Sequence, residues 1–378
     1  MIAKKCPILQ LPLLPLQRIL ELIHFIDIFA LSLTSKTMKN RIKNVRIEVF
    51  AYGLECLDKD KVSILVLDSR FLPKLKFELD LNVMDAVCDR HFVLNGLPIG
   101  VVSWDYKDSC IKCSTRPRIS HGLSLSVPLI LSARQIIAHS LIPLPTETPW
   151  PRGLQRLFQN LDVTATALLD YCSSVFPAKT SKVQVDVDLS HMVSKTLNHP
   201  VFSTSHFWMV TGKDPYHSDG KNVVQALKTA EIVSMQIKLQ LQEEIDHVLT
   251  QKRVAMAYSH YVTLADLLNM KCETAHFLNS RITSSDLNVF FHAWLNKTLK
   301  TNLKHLRVDR SSYSDNDSLL RGLDVLEFDE TRQRRPVFYG TPHLQVLNCE
   351  QVYDIIRSDG VLATIGVAYD DVFFMVWP

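Results

Sequence analysis

Apolar residues near the start of the chain follow the spacing of a helix. Four of them recur at positions i, i+3, i+4 and i+7 and form one stripe: Leu16, Ile19, Leu20 and Ile23. Three further leucines lie off that stripe: Leu13, Leu14 and Leu22. A helix that is apolar on most of its circumference is covered on more than one side. A segment of about 40 residues is too small to enclose it, so the rest of the chain or another protein must cover it.

Two more short helices are predicted before residue 46. Pro15 suits the first turn of the first helix, where the missing backbone N–H is not needed. Asp27 is predicted to start the second helix, whose apolar residues are Ile28, Leu31 and Leu33. Ser35 is predicted to cap a third helix over 36–43, which ends with basic residues as the helix dipole favours.

After residue 45 the pattern becomes extended. Three apolar or alternating runs of strand length cover 46–50, 62–67 and 75–81. Asn95-Gly96 lies between two apolar runs and predicts a hairpin over 91–104. Pro98 and Gly100 weaken its second strand and indicate an edge strand. A run of prolines predicts a loop or boundary near 143–151.

The next segment predicts one long helix and one strand. Leucines and Phe158 share one side of a helix over 153–176. Val183, Val185 and Val187 alternate with polar residues, as in a half-buried strand. In that interpretation Asp186 and Asp188 share the other face. Two carboxylates on one face are a candidate catalytic or metal-binding pair, although a solvated strand face is the simpler interpretation.

From residue 202 on, strands alternate with helices, which predicts a parallel sheet with right-handed crossovers. The helix predicted over 284–296 has Thr283 as its cap and Asp286 in the capping-box position. In the strand that follows, three apolar residues fit the register of a leucine-rich repeat: Leu303, Leu306 and Val308. The tail, from 353 to 378, reads as an antiparallel meander that closes the fold.

Composition limits the function only broadly. The chain has 378 residues, enough for two or three compact units, with 47% hydrophobic and 21% charged residues. A net charge of +3 is too small to argue for nucleic acid or an anionic membrane as a partner. We find no clear signal-peptide cleavage site and no apolar run long enough to span a membrane. We therefore expect a cytoplasmic or nuclear protein.

The sequence contains no recognisable catalytic or nucleotide-binding motif. The eight scattered cysteines are expected to be reduced thiols. Cys110 and Cys113 form a lone CxxC without the second pair of ligands that a zinc site requires. His292 is expected to be a partly buried structural histidine. We therefore predict no metal, no cofactor and no catalytic residue.

Basic residues in the last third of the chain form a candidate partner surface. Lys304 and Arg307 alternate with the core residues of their strand, so these side chains, with His305 beside them, are expected to point away from the core. A loop run adds further cations. The predicted substrate-binding residues are Lys304, Arg307, Arg332, Arg334 and Arg335. Such a surface would attract an acidic or phosphorylated partner, more weakly as salt rises.

Two parts of the sequence carry a family resemblance. LPLLPLQRIL followed by LSLTSKTMKNRIK resembles an F-box, although His24-Phe25 stand where that family usually has an acidic residue and proline. The block 268–308 and the block 355–377 are similar to the type 2 F-box-associated domain of a large nematode family of F-box proteins. Residues from about 50 to 200 show no close match. The resemblance covers both ends of the chain in the expected order.

The resemblance implies a subunit that recruits substrates to a Skp–cullin–F-box ubiquitin ligase. The F-box would dock the Skp adaptor, and through it cullin, and the C-terminal domain would bind a protein substrate. The residues that the resemblance assigns to adaptor binding are Leu11, Pro12, Leu16, Ile19, Leu20, Ile23, Leu31 and Leu33. Two alternatives stay open. One is an α/β protein-binding module whose N-terminal helices fold onto its own core, and the other is an enzyme of unrecognised class.

The predicted fold is mixed α/β. It has a three-helix F-box, then strand–helix repeats of leucine-rich-repeat type, and antiparallel strands at the end. The predicted domains are the F-box over 5–45, a β-rich connecting lobe over 46–150, and an F-box-associated α/β substrate-binding domain over 151–378.

Overall fold

A computed structural model gives the fold of the chain. It describes residues 11–47, 49–58, 61–80, 87–88, 90–94, 97–105, 110–114, 118–119, 152–216, 218–299, 301–310, 316–327, 351–368 and 371–377. The chain forms two compact units, Met1–His206 and Phe207–Pro378. The predicted domain boundaries at 45 and 150 stay predictions.

The first unit begins with three short helices: α1 (Leu13–Leu22), α2 (Phe25–Thr34) and α3 (Lys36–Val45). Pro15 lies in the first turn of α1, as predicted. The second helix begins two residues before Asp27, because His24 caps it and accepts the backbone N–H of Ile26 at Nδ1 (3.3 Å). Ser35 caps α3 as predicted, since its Oγ accepts the N–H of Met38 at 3.1 Å.

The remaining elements of the first unit are strands and one long helix. They are β1 (Val49–Asp58), β2 (Lys61–Leu67), β3 (Pro73–Asp80), β4 (Val87–Cys88), β5 (Arg90–Leu94), β6 (Leu97–Asp105), β7 (Cys110–Ser114), β8 (Arg118–Ile119), α4 (Arg152–Val175), β9 (Ala178–Asp186) and α5 (Ser194–Leu197). Two short 3-10 turns cover Val187–Val193 and Pro200–Phe202. Within this unit the strands follow the order β9-β1-β2-β3-β7-β6-β5, and β4 pairs with β8.

The sheet of the first unit is mixed. β1 runs antiparallel to β2 and parallel to β9, and β3 runs parallel to β7. The predicted hairpin is present, because β5 and β6 pair antiparallel around Leu94 and Leu97. The edge-strand prediction for β6 is wrong, since β6 also pairs with β7. Pro98 is tolerated because pairing with β7 begins only at Gly100, beyond the position that lacks an N–H.

The structure does not place Asp186 and Asp188 on one strand face, although the sequence predicted it. The strand ends at Asp186, and Asp188 lies in the 3-10 turn that follows it. Asp186 Oδ1 accepts the backbone N–H of Asp188 at 2.9 Å, so Asp186 caps that turn. The two side chains therefore do not share a strand face, because the backbone changes direction between them.

The second unit contains strands that alternate with helices. They are β10 (Thr204–Thr211, which begins in the first unit), α6 (Lys221–Ala226), β11 (Thr229–Met235), α7 (Gln242–Val248), β12 (Arg253–Met256), α8 (Leu264–Asn269), β13 (Thr274–Ser280), α9 (Ser284–Leu295), β14 (His305–Arg310), α10 (Asn316–Leu320), β15 (Leu326–Glu327), β16 (Gln351–Ile356), β17 (Leu362–Ala368) and β18 (Asp371–Val376). The strand order is β15-β16-β17-β18-β14-β13-β12-β11-β10.

The predicted topology of this unit is confirmed. β11, β12, β13 and β14 pair in parallel, each joined to the next through a helix. β14, β18, β17, β16 and β15 pair antiparallel and form the predicted C-terminal meander. The capping box on α9 is present, with Asp286 N–H bonded to Thr283 Oγ1 at 3.2 Å. Three core residues of β14 and its approach are buried as predicted: Leu303, Leu306 and Val308.

No helix in the described part of the chain is long and apolar enough to span a membrane.

Candidate functional site

The first helix has two faces in different environments. Leu16 and Leu20 have 0% and 1% of their surface exposed, whereas Leu14 and Leu22 have 74% and 86% exposed. Arg18 lies between these two leucines in sequence and forms an ion pair with Glu21 at 2.9 Å. Leu13 is about half exposed. The outward face of α1 therefore carries exposed leucines at both ends of the helix, with Arg18 of the ion pair between them. We call Leu14 and Leu22 the outward leucines.

The second helix packs onto its own unit. The ring of Phe29 lies 4.8 Å from that of Phe77 on β3 and 5.9 Å from that of Tyr171 on α4. The Tyr171 hydroxyl donates a hydrogen bond to Ser32 Oγ on α2 at 2.9 Å. Phe25 contacts Phe176 with a centroid distance of 4.9 Å. The buried side of the helices is therefore covered by the rest of the first unit.

The third helix links the other two to the same support. Lys39 Nζ lies 4.4 Å above the centre of the Tyr171 ring, a cation–π contact. Burial, and then the neighbouring charge of Lys43, lower the pKa of Lys39. The guanidinium of Arg41 donates a hydrogen bond to the carbonyl of Leu11. This bond ties the approach to α1 against α3.

The predicted adaptor contacts divide into two groups. Leu16 and Leu20 are buried, so of the two predicted possibilities the rest of the chain, and not another protein, covers this side of α1. The other predicted residues keep accessible surface: Leu11, Pro12, Ile19, Ile23, Leu31 and Leu33. Their contact with an adaptor stays a prediction. The outward leucines were absent from the predicted set, although their position off the apolar stripe was the signal for them.

The predicted substrate contacts that the structure describes already have partners. Lys304 Nζ lies 2.8 Å from Glu273 Oε2, and this hydrogen bond is the main cause that lowers the pKa of Glu273. Arg307 donates two hydrogen bonds to Asp371, at 3.2 and 2.7 Å, and lies 5.5 Å from the ring of Phe373. Arg332, Arg334 and Arg335 lie outside the described residues, so their role as substrate contacts stays a prediction.

His305 is not at the surface, contrary to the prediction. Its side chain is 1% exposed, although it alternates with Leu306 along the strand and so lies on the other side of the sheet. His305 Nδ1 lies 3.1 Å from Nε2 of His276 on the neighbouring strand. Burial lowers the pKa of His305 to about 3. His292 is partly buried as expected, with Nε2 3.1 Å from the carbonyl of Arg321.

The described part of the chain holds no group of three or more His, Cys, Asp or Glu residues that could bind a metal. Five cysteines have buried, free thiols: Cys56, Cys110, Cys113, Cys172 and Cys272. Burial raises the pKa of Cys56 and of Cys272 to about 12. The side chains of Cys6, Cys88 and Cys349 lie outside the described part.

Three short N-terminal helices and a second unit of strand–helix repeats are what an F-box protein with an F-box-associated domain would contain. The F-box domain model matches residues 8–50, which include α1 to α3. The model described as F-box associated matches residues 244–308, which extend from α7 into β14. The family recognition is therefore confirmed: the chain carries an F-box domain and an F-box-associated region.

Relatives of the chain come from Caenorhabditis elegans. Two uncharacterised proteins match over nearly the whole chain. One is 20% identical over 382 residues, covering 98% of this chain and 78% of its own length. The other is 24% identical over 394 residues, covering 98% and 77%. A local match, 30% identical over 80 residues, covers 21% of this chain and 6% of the E3 ubiquitin-protein ligase hecw-1. No solved structure matches the chain.

Proposed function

We propose that this chain is the substrate-recruiting subunit of a Skp–cullin–F-box ubiquitin ligase. The F-box would dock the Skp adaptor and, through it, cullin, and the second unit would hold a protein substrate. The local match to a protein named as a ubiquitin ligase supports the same pathway. A subunit with this role would act in the cytoplasm or nucleus.

The observation that carries the proposal is the outward face of α1. The F-box match covers this helix, and Leu14 and Leu22 are largely exposed although the opposite face is buried. Leu14 lies beside the half-exposed Leu13, and Leu22 lies two turns further along the helix, so the F-box match falls on a helix with exposed apolar side chains that a partner could cover. The proposed adaptor surface is therefore centred on these outward leucines, with the accessible residues among the predicted contacts around them.

The proposed mechanism is tethering. A bound substrate experiences a high effective concentration of the ubiquitin-charged enzyme, so the rate rises without a catalytic residue in this chain. The F-box and F-box-associated families supply adaptor components of this kind. The substrate-binding unit needs affinity and orientation only.

Co-purification with the Skp adaptor tests the proposal. The full chain, co-expressed with an affinity-tagged Skp adaptor, should co-purify with that adaptor. The double variant Leu14→Asp with Leu22→Asp should not co-purify. Leu241→Asp is the matched control: this leucine is nearly half exposed in the second unit, and aspartate is favoured at its helix N-cap position. Adaptor recovery that is unchanged by the double substitution, in a folded protein, would contradict the assignment.

One observation favours the second candidate function, a protein-binding module without a ligase role. The helices of the F-box are packed through Phe25 and Phe29 onto the first unit, as that alternative expects. The two functions differ in whether the outward leucines are used. Failure of the wild-type chain to bind the adaptor would favour this alternative.

A further inference from the structure

Four loops of the second unit bring aromatic and basic side chains to one edge. Tyr216 follows β10, Lys238 follows β11, Tyr258 and His260 follow β12, and Arg281 follows β13. We call these five residues the loop-edge cluster. In α/β sheets the loops at the carboxyl ends of the strands are the usual place for binding. Neither the family matches nor the sequence motifs assign a role to this cluster.

The rings of the loop-edge cluster form a continuous surface. The Tyr216 ring centroid lies 5.2 Å from that of Tyr258 and 5.8 Å from that of His260. Tyr216 has 52% of its surface exposed, and Tyr258 and His260 are half-buried around it. An exposed tyrosine ring that is already held by neighbouring rings offers contact area to a partner and loses little side-chain freedom on binding.

Two positive charges accompany the rings. Among the residues that the structure describes, no carboxylate lies within 4 Å of Lys238 or Arg281, whereas Lys304 and Arg307 elsewhere in this unit are paired with acids. Burial, then Lys238, then Arg281 lower the pKa of His260, so the positive potential of both cations reaches the rings. Two carboxylates lie at this edge, Asp214, which accepts the N–H of Tyr216, and Asp309, which accepts the N–H of Asn279, but in the described part of the chain neither forms an ion pair with Lys238 or Arg281.

The loops are joined to one another by hydrogen bonds. The N–H of Lys238 donates to the carbonyl of Pro215 at 2.7 Å, and that of Ala257 donates to Met235 at 2.9 Å. Asn279, in the left-handed region with φ 51, donates its side-chain amide to the Ala257 carbonyl at 2.8 Å. A surface held in this way needs little ordering when a partner binds.

We propose that the loop-edge cluster binds an acidic segment of the substrate protein, with an aromatic or aliphatic side chain of that segment against Tyr216. This inference rests on the proposed function, whose substrate class it names. Carboxylates would supply the missing counter-charges of Lys238 and Arg281, and the rings would cover the apolar side chain. Single-stranded RNA also uses rings and cations, but two cations and a net charge of +3 give a weak electrostatic footprint for RNA.

The test uses the full chain and defined probes. Fluorescence polarisation would compare a glutamate-rich peptide carrying one central phenylalanine with the same peptide in which glutamine replaces glutamate. We expect at least about tenfold tighter binding of the acidic peptide, weakening as salt rises. Lys238→Glu with Arg281→Glu should remove this preference, and Tyr216→Ala should weaken binding by about tenfold. Lys271→Glu, an exposed lysine that precedes β13 at the opposite end of the strand, is the matched control and should change nothing.

Three results would overturn the inference. They are equal affinity for the two peptides, no binding of either, or full binding of the acidic peptide by the double variant. Binding of a uridine-rich RNA that is lost in the same variants, without peptide binding, would also overturn it by assigning the edge to nucleic acid. Recovery of the Skp adaptor is measured in parallel. If the wild-type chain recovers the adaptor but does not bind the acidic peptide, this inference alone is rejected. If the wild-type chain binds the peptide but does not recover the adaptor, the proposed ligase role alone is rejected.

Discussion

The packing of α2 on the first unit predicts that the F-box is not an independently stable domain. Phe29 is 0% exposed and contacts rings from β3 and α4. Phe29→Ala removes the whole ring from a closed site, and such substitutions cost about 3–5 kcal/mol. The two ring contacts contribute about 0.5–1.5 kcal/mol each to that loss, and buried area and the cavity account for the rest. A domain has about 5–15 kcal/mol in total, so about a fifth or more of the stability of the first unit should be lost.

Amide hydrogen exchange measures which elements lose stability. In Phe29→Ala we expect faster exchange in the three helices and also in β3 (Pro73–Asp80) and α4 (Arg152–Val175), because they share one core. Leu22→Ala is the control: this leucine is 86% exposed, so its truncation should change the free energy of unfolding by less than about 0.5 kcal/mol. Faster exchange confined to residues 13–45 would refute the shared core and show a separate helical domain.

Three further predictions concern buried and paired groups. Burial raises the pKa of Cys56 and of Cys272 to about 12, so both thiols should resist iodoacetamide in the native protein at pH 8 and react fully in urea. Mass spectrometry measures the labelling, and labelling of either cysteine in the native protein would contradict its burial. His305 is neutral in the fold because its pKa is lowered to about 3. As the pH falls below 6.5, the unfolded state therefore binds more protons than the folded state. The free energy of unfolding of the second unit should fall by up to about 1.4 kcal/mol per pH unit until about pH 3. Urea unfolding across that range, with a His305→Leu variant that removes its contribution, measures the slope, and identical slopes would reject it. Arg307→Ala and Asp371→Asn should each lower stability by about 1 kcal/mol and should couple in a double-mutant cycle, whereas additive losses would show that the pair contributes nothing.

Local signals in the sequence predicted their structures well. The caps of α3 and α9 and the Asn95-Gly96 hairpin act over a few residues, so the residue types alone determine them. The alternation of Leu306 and Val308 with polar residues likewise fixed which strand face is buried. The order of the predicted helices and strands along the chain then indicated the fold class.

Contacts between distant residues could not be predicted in the same way. Arg307 and Asp371 are 64 positions apart, and only the antiparallel pairing of β14 with β18 brings them together. His305 was expected at the surface because alternation indicates which face a residue takes but not whether that face is covered. The same limit applies to Leu16 and Leu20, where the stripe indicated burial without showing that the first unit, and not a partner, provides it.

The bond between Tyr171 and Ser32 joins residues 139 positions apart, and this has a consequence for synthesis on the ribosome. Closing a loop of that length costs on the order of 4 kcal/mol of chain entropy before any contact compensates it. Translation proceeds at about 5–20 residues per second, so the helix that covers α2 is synthesised about seven to thirty seconds after α2 itself. During that interval Phe25 and Phe29 are available to chaperones, or to an adaptor that captures the nascent F-box before it reaches its own core.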